Sequence, residues 1–245
     1  MLSQFEIAGK TILLTGATSG IGYTIAQDFL SQGAQIIGIG RNVEVLESLK
    51  KDFDGLFHGI EADLRERSHL TKIIDSIDLE LNGIVHSAGV IHRRPLKMIT
   101  SEIWDETLQI NTTSGLELTR DLFKKKKLSK EASIVFLSSV ASDYAAIGNI
   151  SYMASKGAVK SLVKGLALEL ASKGIRVNGV EPGLIKTALT SQVSDDELKE
   201  VLSDYPLGRF GSTTDIAHAV QYLISSASSW MTGQFLRLDG GLTLK

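Results

Sequence analysis

The stretch Thr11-Ile-Leu-Leu-Thr-Gly16-Ala-Thr-Ser-Gly20-Ile-Gly22 decides the fold. Its first part contains the continuous apolar run Ile12-Leu13-Leu14, which is typical of a strand buried on both faces of a parallel sheet. The glycines that follow permit a tight turn and let the backbone approach a pyrophosphate, whose charge the free N–H groups of the next helix attract. We therefore predict a strand, a phosphate-binding turn and a helix. A P-loop is not expected, because no Gly-Lys-Ser/Thr follows.

The rest of the chain repeats this alternation of strand and helix. Its 245 residues are 43% apolar and 22% charged, as in an ordinary globular protein. Short β-rich runs alternate with amphipathic stretches of helical length, which predicts an α/β fold in a single domain, residues 1–245, with a Rossmann-like doubly wound sheet of about seven mainly parallel strands and helices on both faces. The predicted strands are 11–15, 35–39, 56–60, 83–86, 133–137, 176–180 and 234–238, and the predicted helices are 21–31, 43–51, 68–76, 101–126, 151–172 and 213–225.

The composition excludes several classes of protein. The absence of cysteine rules out disulfides, a thiolate nucleophile and Cys-ligated zinc, and the five histidines lack zinc-binding spacing, so no metal is expected. No apolar run approaches the roughly 18 residues that cross a bilayer, and the first ten residues lack the features of a secretory signal. We expect a cytoplasmic protein that binds neither membrane nor nucleic acid, since a net charge of -2 offers no broad positive field to a phosphate backbone.

The end of the second predicted strand indicates which dinucleotide is bound. In a Rossmann-like unit an acidic residue there binds the adenosine ribose, whereas an arginine favours a 2'-phosphate. The chain has Gly40-Arg41-Asn42 and no carboxylate at this point, so we predict NADP(H) in preference to NAD(H). The alternative is that Arg41 begins the next helix or stacks on adenine, which leaves the preference weak. Asp63, at the end of the third strand, is expected to receive the adenine amino group.

Tyr152 and Lys156 are four residues apart, a spacing that puts a phenol and an ammonium on one face of a helix. A tyrosine with an unperturbed pKa of about 10 is a poor acid or base at neutral pH, and a nearby cation lowers this pKa by favouring the phenolate. Ser139, at the end of the fifth predicted strand, carries a hydroxyl that can hold a carbonyl oxygen. The three side chains together predict proton transfer at a substrate oxygen.

From Lys10 to Leu242 the chain resembles the short-chain dehydrogenase/reductase family. The resemblance rests on the Thr-Gly-x-x-x-Gly-x-Gly turn, the Tyr-x-x-x-Lys pair, a Pro-Gly after the sixth strand and an Asp-Gly-Gly near the end. It implies that Tyr152 is the general acid/base and that Lys156 tunes it and binds the nicotinamide ribose. Ser139 then orients the substrate oxygen, and Asn111 completes a water-linked proton relay. The residues expected to bind the cofactor are Gly16, Thr18, Ser19, Gly20, Ile21, Gly22, Arg41, Asn42, Asp63, Leu64, Ser87, Ala88, Gly89, Tyr152, Lys156, Pro182, Gly183, Ile185 and Thr187.

The chain departs from the family pattern after the fourth strand. Where the family usually has Asn-Asn-Ala-Gly, this chain has His86-Ser87-Ala88-Gly89. The backbone role of Ala88 and Gly89 beside the cofactor is expected to persist, whereas the hydrogen bonds of the two asparagines must be replaced. We interpret His86 as a neutral, hydrogen-bonded histidine at a strand end rather than a catalytic group.

Within the family the chain is most similar to the 3-oxoacyl-acyl-carrier-protein reductase type, judged by its length and its Met231-Thr-Gly-Gln and Asp239-Gly-Gly ending. This similarity implies NADPH-dependent reduction of a 3-oxoacyl thioester and a homotetramer whose interface helices correspond to 101–126 and 151–172. It also implies an acyl carrier protein as partner, docking on basic residues beside the active site. The lysines available for this are Lys124 to Lys127, Lys130 and Lys173, and the alternative for them is a solvated helix end.

Other functions stay open. A keto-sugar or polyol oxidoreductase, for example in saccharide biosynthesis, would use His92, Arg93 and Arg94 beyond the fourth strand to contact a polar or anionic substrate. A catalytically silent dinucleotide-binding regulator conflicts with the intact residues of the implied proton relay. In either enzyme, the irregular segment after Pro182 predicts a substrate loop at about 188–206, with Ser194 as the N-cap of a helical start.

Overall fold

The computed structural model describes residues 3–187 and 195–244, and within them seven strands form one sheet. The strands are β1 (Thr11–Thr15), β2 (Gln35–Gly40), β3 (Phe57–Glu61), β4 (Leu81–His86), β5 (Leu128–Leu137), β6 (Arg176–Pro182) and β7 (Phe235–Leu238). Their order is β3-β2-β1-β4-β5-β6-β7, and every neighbouring pair is parallel. The predicted Rossmann-like, doubly wound sheet is therefore confirmed.

Helices cover both faces of this sheet. They are α1 (Gly20–Ser31), α2 (Val43–Asp52), α3 (Arg67–Asp75), α4 (Ser101–Leu108), α5 (Ser114–Lys124), α6 (Ile150–Leu170), α7 (Asp195–Leu202) and α8 (Thr213–Ile224). Ile12 and Leu14 of β1 pack in the layer that contains α1, α2 and α8, whereas Leu13 packs in the layer that contains α3, α5 and α6. Both faces of β1 are thus buried, which explains its continuous apolar run. In the described part of the chain, none of the helices has the length and apolar character needed to traverse a bilayer.

The topology leaves a crevice at the carboxyl edge of the sheet. Because β1 lies between β2 and β4, the chain moves outward in one direction from β1 and in the other direction from β4. Such a switch point opens a binding crevice at the carboxyl ends of the strands. The glycine turn follows β1 at this edge, and the segments that follow β4, β5 and β6 reach it as well.

Two elements differ from the predicted ones by more than two residues. β5 begins at Leu128 rather than at residue 133, because Leu128 pairs with Leu81 and the ladder resumes at Ser133 after a shift in register. The predicted helix 101–126 is divided by a π-helical turn, Gln109–Thr113, between α4 and α5.

The predicted substrate loop is covered in part. Ser194 and the rest of 188–194 lie outside the described residues, whereas α7 and the turn up to Pro206 are described. The helical start that the sequence predicted here therefore corresponds to α7, which begins at Asp195.

Candidate active site

The glycine turn requires its glycines for two different reasons. Gly16 and Gly20 have φ angles of 73° and 51°, in the left-handed region that favours glycine. A Cβ at Gly22 would lie 2.2 Å from the carbonyl oxygen of Gly16, and a Cβ at Gly16 would lie 2.9 Å from the backbone nitrogen of Ala88. The turn therefore packs against itself and against the segment after β4, so that bare backbone borders the crevice.

A first cavity follows this turn across the carboxyl ends of β1 to β4. On one side it is lined by the glycine turn, and on the other by the ends of β2 and β3 and the segment after β4. Its lining includes Gly16, Thr18, Ser19, Gly20, Ile21, Gly22, Arg41, Asp63, Leu64, Ser87, Ala88, Gly89 and Thr187. This cradle fits an extended dinucleotide, with glycine backbone and the N-terminus of α1 at the pyrophosphate.

The residues at the end of β2 have different surroundings. Arg41 lines the first cavity. Asn42 does not, and its side chain instead accepts a hydrogen bond from the backbone nitrogen of Val45 at 3.1 Å, which caps α2. The side chain of Asn42 is thus used as a helix cap, and cofactor binding by this residue stays a prediction.

Asp63 lines the cavity and is held by a residue that the sequence did not indicate. Arg65 donates to both carboxylate oxygens of Asp63, from its guanidinium Nε to Oδ2 at 2.9 Å and from its backbone nitrogen to Oδ1 at 3.0 Å. These hydrogen bonds lower the pKa of Asp63. The carboxylate is thus a charged acceptor at the end of the crevice where an adenine would lie.

In the segment after β4, other side chains provide hydrogen bonds in place of the two family asparagines. The hydroxyl of Thr15 accepts hydrogen bonds from the backbone nitrogens of Ser87 and Ala88, both at 3.1 Å. His86 is buried, with its Nε2 2.9 Å from the Thr119 hydroxyl, and burial lowers its pKa to about 3. It lines neither cavity. The structure therefore agrees with the interpretation of a neutral histidine at a strand end.

A second cavity, of about 470 Å³, adjoins the first and contains the predicted reactive side chains. Ser139, Tyr152 and Lys156 line it together. Its lining also includes Pro182, Gly183 and Ile185, and four residues border both cavities: Ile21, Ser87, Gly89 and Thr187. A dinucleotide in the first cavity would therefore have its far end beside the reactive side chains.

Local structure sets the positions of these three side chains. Ser139 follows β5 and caps a short 3-10 turn, Val140–Ser142, by accepting a hydrogen bond from the backbone nitrogen of Ala141 at 3.1 Å. Tyr152 and Lys156 lie one turn apart on α6, and Lys156 Nζ is 5.6 Å from the centre of the Tyr152 ring. Lys156 Nζ donates to the carbonyl oxygen of Leu137 at 2.7 Å.

The protonation of the pair differs in one respect from the sequence argument. Burial raises the pKa of Tyr152, and the hydrogen bond from the Ser139 hydroxyl opposes this rise. Burial also lowers the pKa of Lys156 to about 8. The expected lowering of the Tyr152 pKa by the lysine cation is therefore not seen: desolvation of the phenolate raises this pKa, and the group that opposes the rise is Ser139.

Asn111 is buried behind the cavities rather than in their lining. It lies in the π-helical turn, and its amide holds Val90 by both backbone groups, at 2.8 Å from the nitrogen and 3.0 Å from the carbonyl oxygen. It also donates to the Ser155 hydroxyl at 2.9 Å. Asn111 thus links the segment after β4 to α6, between Tyr152 and Lys156.

The substrate side of the second cavity contains Arg93, which the sequence offered for a polar or anionic substrate, and other polar groups that it left unassigned. Arg93 lines it, and no described residue forms an ion pair with the Arg93 side chain. Asn149 is buried and its Oδ1 has no hydrogen-bond donor in the described part of the chain. It precedes Tyr152 by three residues, a helical spacing that could have indicated it. Glu200 and Asp204, from the region of α7, line the opposite wall.

The lysine cluster does not lie beside this cavity. Lys124 to Lys127 precede β5 and Lys173 precedes β6, at the amino edge of the sheet, whereas Ser139 follows the carboxyl end of β5. The strand between the two edges pairs with β4 from Leu81 to His86 and separates them by about 20 Å. Within one chain these lysines therefore do not line the second cavity, and docking of a carrier protein on them stays a prediction. Lys125 pairs with Asp75, as a solvated helix end does.

Comparisons with known proteins agree with this fold and site. A family model described as enoyl-(acyl carrier protein) reductase matches residues 16–243. The 3-oxoacyl-[acyl-carrier-protein] reductase FabG of Thermotoga maritima is 32% identical over 245 residues, 98% of this chain and 100% of the relative. The gluconate 5-dehydrogenase of Gluconobacter oxydans is 32% identical over 250 residues, 98% of this chain and 97% of the relative.

A solved structure gives the same result in three dimensions. The gluconate 5-dehydrogenase of Burkholderia cenocepacia, in complex with NADP and tartrate, has a TM-score of 0.91 and 28% identity, covering 100% of this chain and 99% of that one. The chain belongs to the short-chain dehydrogenase/reductase family. It is an NAD(P)-dependent oxidoreductase of that family.

Proposed function

We propose that the protein interconverts a ketone and a secondary alcohol with NADP(H). The single observation that carries this proposal is the joint position of Ser139, Tyr152 and Lys156 in a cavity that adjoins the glycine cradle. A bound nicotinamide dinucleotide supplies the hydride. The family membership of the chain supports the same reaction class.

The chain's own residues handle the substrate oxygen and its proton. In the reducing direction the carbonyl carbon receives the hydride, and the developing alkoxide takes the phenolic proton of Tyr152. Ser139 donates its one hydroxyl hydrogen bond to that oxygen while its negative charge develops, and to the phenolate once the proton has moved. Lys156 favours the phenolate by its charge. Asn111 fixes the position of α6 relative to the segment after β4 through its hydrogen bonds to Val90 and Ser155. In the oxidising direction Tyr152 receives the proton.

We propose a polyhydroxylated keto acid, such as a keto-sugar acid, as the substrate. Arg93 is a cation without an ion-pair partner among the described residues, and it lines the cavity of Tyr152, where it can pair with a carboxylate. Asn149, Glu200 and Asp204 line the same cavity and can hydrogen-bond hydroxyl groups. A relative named gluconate 5-dehydrogenase, whose structure holds NADP and tartrate, supports this class.

A 3-oxoacyl thioester is the second candidate. It is favoured by the apolar part of the same cavity, formed by Val140, Leu184, Val201 and Leu242, and by the named FabG relative. An acyl carrier protein as partner belongs to this candidate alone. Two basic residues of the described chain line the cavity itself, Arg93 and Lys156, and because Lys156 is buried, Arg93 is the one available to a carrier protein.

The experiment compares NADPH oxidation with 5-ketogluconate and with an acetoacetyl thioester, using wild type, Arg93→Met and Arg94→Met. Arg94 is the matched control, because it is exposed, neighbours Arg93 and lines neither cavity. For the keto acid we expect Arg93→Met to raise KM by about tenfold to a hundredfold, the loss of one charge-assisted pair. Turnover of the thioester alone, with no effect of Arg93→Met, would transfer the proposal to the second candidate.

A Tyr152→Phe variant tests the reaction itself. It is expected to bind NADPH as wild type does and to lose turnover by at least about a hundredfold, because the proton donor is gone. Cofactor binding by wild type without turnover of any carbonyl compound in a broad panel would instead support a catalytically silent regulator.

We further propose a cytoplasmic homotetramer of single-domain chains. Apolar side chains lie exposed on the helices that the family resemblance assigns to the interface: Trp104 on α4, Leu116 and Phe123 on α5, and Leu168 on α6. Apolar groups of this size on helices are typical of subunit contacts. Light scattering by the purified protein is expected to give four times the chain mass of 26.5 kDa, and a monomer would contradict the proposal.

A further inference from the structure

A group of charges surrounds the buried carboxylate of Glu181 behind the Ser139 turn. The carboxylate of Glu181, whose side chain is 3% exposed, accepts hydrogen bonds from the Arg237 guanidinium at 3.0 Å and 2.9 Å. Its other oxygen is 2.9 Å from Lys160 Nζ and accepts a hydrogen bond from the Ser142 hydroxyl at 3.1 Å. Asp143 completes the group, since Lys160 lies 2.6 Å from it and Arg237 also contacts it.

These residues come from four separate parts of the site. Ser142 and Asp143 end the turn that begins with Ser139, and Glu181 precedes Pro182 and Gly183 of the cavity lining. Arg237 lies opposite Glu181 in the register of β6 and β7. Lys160 lies on α6, one turn beyond Lys156 and two turns beyond Tyr152 on the same face. One carboxylate thus joins the turn of Ser139 to the helix of Tyr152.

The group balances its own charges. Two carboxylates face two cations, and hydrogen bonding to Lys160 lowers the pKa of Asp143. The buried carboxylate of Glu181 adds little net stability over an apolar group, but its position is strict because its two oxygens must keep their hydrogen-bond partners. Strict geometry between a turn and a helix is what a hydrogen bond between Ser139 and Tyr152 requires.

We propose that Glu181 is a positioning residue, which holds the Ser139 turn against α6 and so maintains the hydrogen bond between Ser139 and Tyr152. The inference rests on the proposed roles of these two side chains. Glu181 touches neither reacting group itself. It acts through Ser142 on one side and through Lys160 on the other.

The test shortens the side chain while keeping its charge. Glu181→Asp cannot reach Ser142, Lys160 and Arg237 together, so the Ser139 turn is expected to move away from Tyr152. We expect kcat to fall by about tenfold to a hundredfold, as for a misplaced catalytic group, while the Kd of NADPH is unchanged. Because the Ser139 hydrogen bond lowers the pKa of Tyr152, its loss is expected to raise that pKa.

The pKa of Tyr152 is measured without any substrate. The phenolate absorbance of the full-length protein, saturated with NADP+, is titrated for each variant and for the same variant carrying Tyr152→Phe, and the difference reports Tyr152 alone. The other charged groups around it are Lys156 on its own helix and Arg93, Glu200 and Asp204 across the cavity, all unchanged in these variants.

Two further variants separate positioning from folding. Ser142→Ala removes one hydrogen bond and no charge, so it is expected to fold and to raise the Tyr152 pKa by a smaller amount in the same direction. Asp215→Glu is the matched control, a charge-conserving change in the ion pair with Arg209 that caps α8. It is expected to lower the melting temperature without moving the Tyr152 titration.

The outcomes distinguish this inference from the proposed function. If Glu181→Asp and Ser142→Ala both fold and both show the wild-type pKa of Tyr152, the positioning role of Glu181 is overturned. Full turnover in Tyr152→Phe would overturn the proposed function instead, and the titration would still report whether Glu181 governs the environment of the phenol.

Discussion

Replacing Lys156 by methionine is expected to make the protein more stable and less active. Lys156 is 4% exposed, and burial lowers its pKa from 10.5 to about 8. Holding this ammonium in the folded protein therefore costs about 3 kcal/mol, at about 1.4 kcal/mol for each pH unit between the two values. Methionine removes that cost but also the hydrogen bond to the Leu137 carbonyl, worth about 1 kcal/mol. Lys156→Met is thus expected to gain about 2 kcal/mol in free energy of unfolding at about pH 7.

The pH dependence of this gain tests its origin. Below about pH 8 both folded and unfolded wild-type chains bind the proton, so the penalty is fully present. Between about pH 8 and 10.5 only the unfolded wild-type chain keeps the Lys156 proton, so the free energy of unfolding of wild type rises with pH. The difference in this free energy between Lys156→Met and wild type therefore shrinks.

Urea denaturation at fixed protein concentration, at about pH 7 and about pH 10, measures both effects. Lys164→Met, an exposed lysine of the same helix, is the control and is expected to change little. The reasoning is refuted if Lys156→Met is less stable than wild type at neutral pH, or if its advantage does not change with pH.

Three further changes have outcomes that follow from the geometry. Gly22→Ala puts a Cβ 2.2 Å from the carbonyl oxygen of Gly16 and is expected to weaken NADPH binding by about tenfold or more in a fluorescence titration. Gly157→Ala, whose Cβ would meet open space, is the control and is expected to bind NADPH as wild type does. Arg41→Ala is expected to raise the Kd of NADPH by about tenfold and to leave that of NADH unchanged; an unaltered ratio of the two would contradict the predicted cofactor preference. Burial lowers the pKa of His86 to about 3, so below about pH 6.5 the unfolded wild-type chain binds a proton that the folded one does not, and its free energy of unfolding falls by up to about 1.4 kcal/mol per pH unit. His86→Asn is expected to remove this loss, which denaturation midpoints at acid pH would measure.

The sequence predicted the parts of the fold that depend on local pattern. The apolar run of β1 and the glycines after it are local signals, and each has a direct physical cause in burial and backbone geometry. The spacing of Tyr152 and Lys156 was readable for the same reason, since helical periodicity alone puts them on one face.

Features that depend on distant contacts could not be predicted. The π-helical turn Gln109–Thr113 leaves no distinct pattern of apolar residues in the sequence. It goes with the contacts of Asn111 to Val90 and Ser155, which are distant in the chain. The pKa of Tyr152 moved against the sequence argument because desolvation depends on the whole cavity. The pairing of Glu181 with Arg237 arises from strand register, which joins residues 56 positions apart.

The position of the lysine cluster has a practical consequence for handling the enzyme. Four consecutive lysines, Lys124 to Lys127, form a dense group of amines at the end of the sheet remote from the cavities, while Lys156 is buried. Amine-reactive supports should therefore attach the protein by its back and leave the cavity mouth facing the solution. Covalent immobilisation through these lysines is a route to a reusable catalyst that keeps its entrance clear.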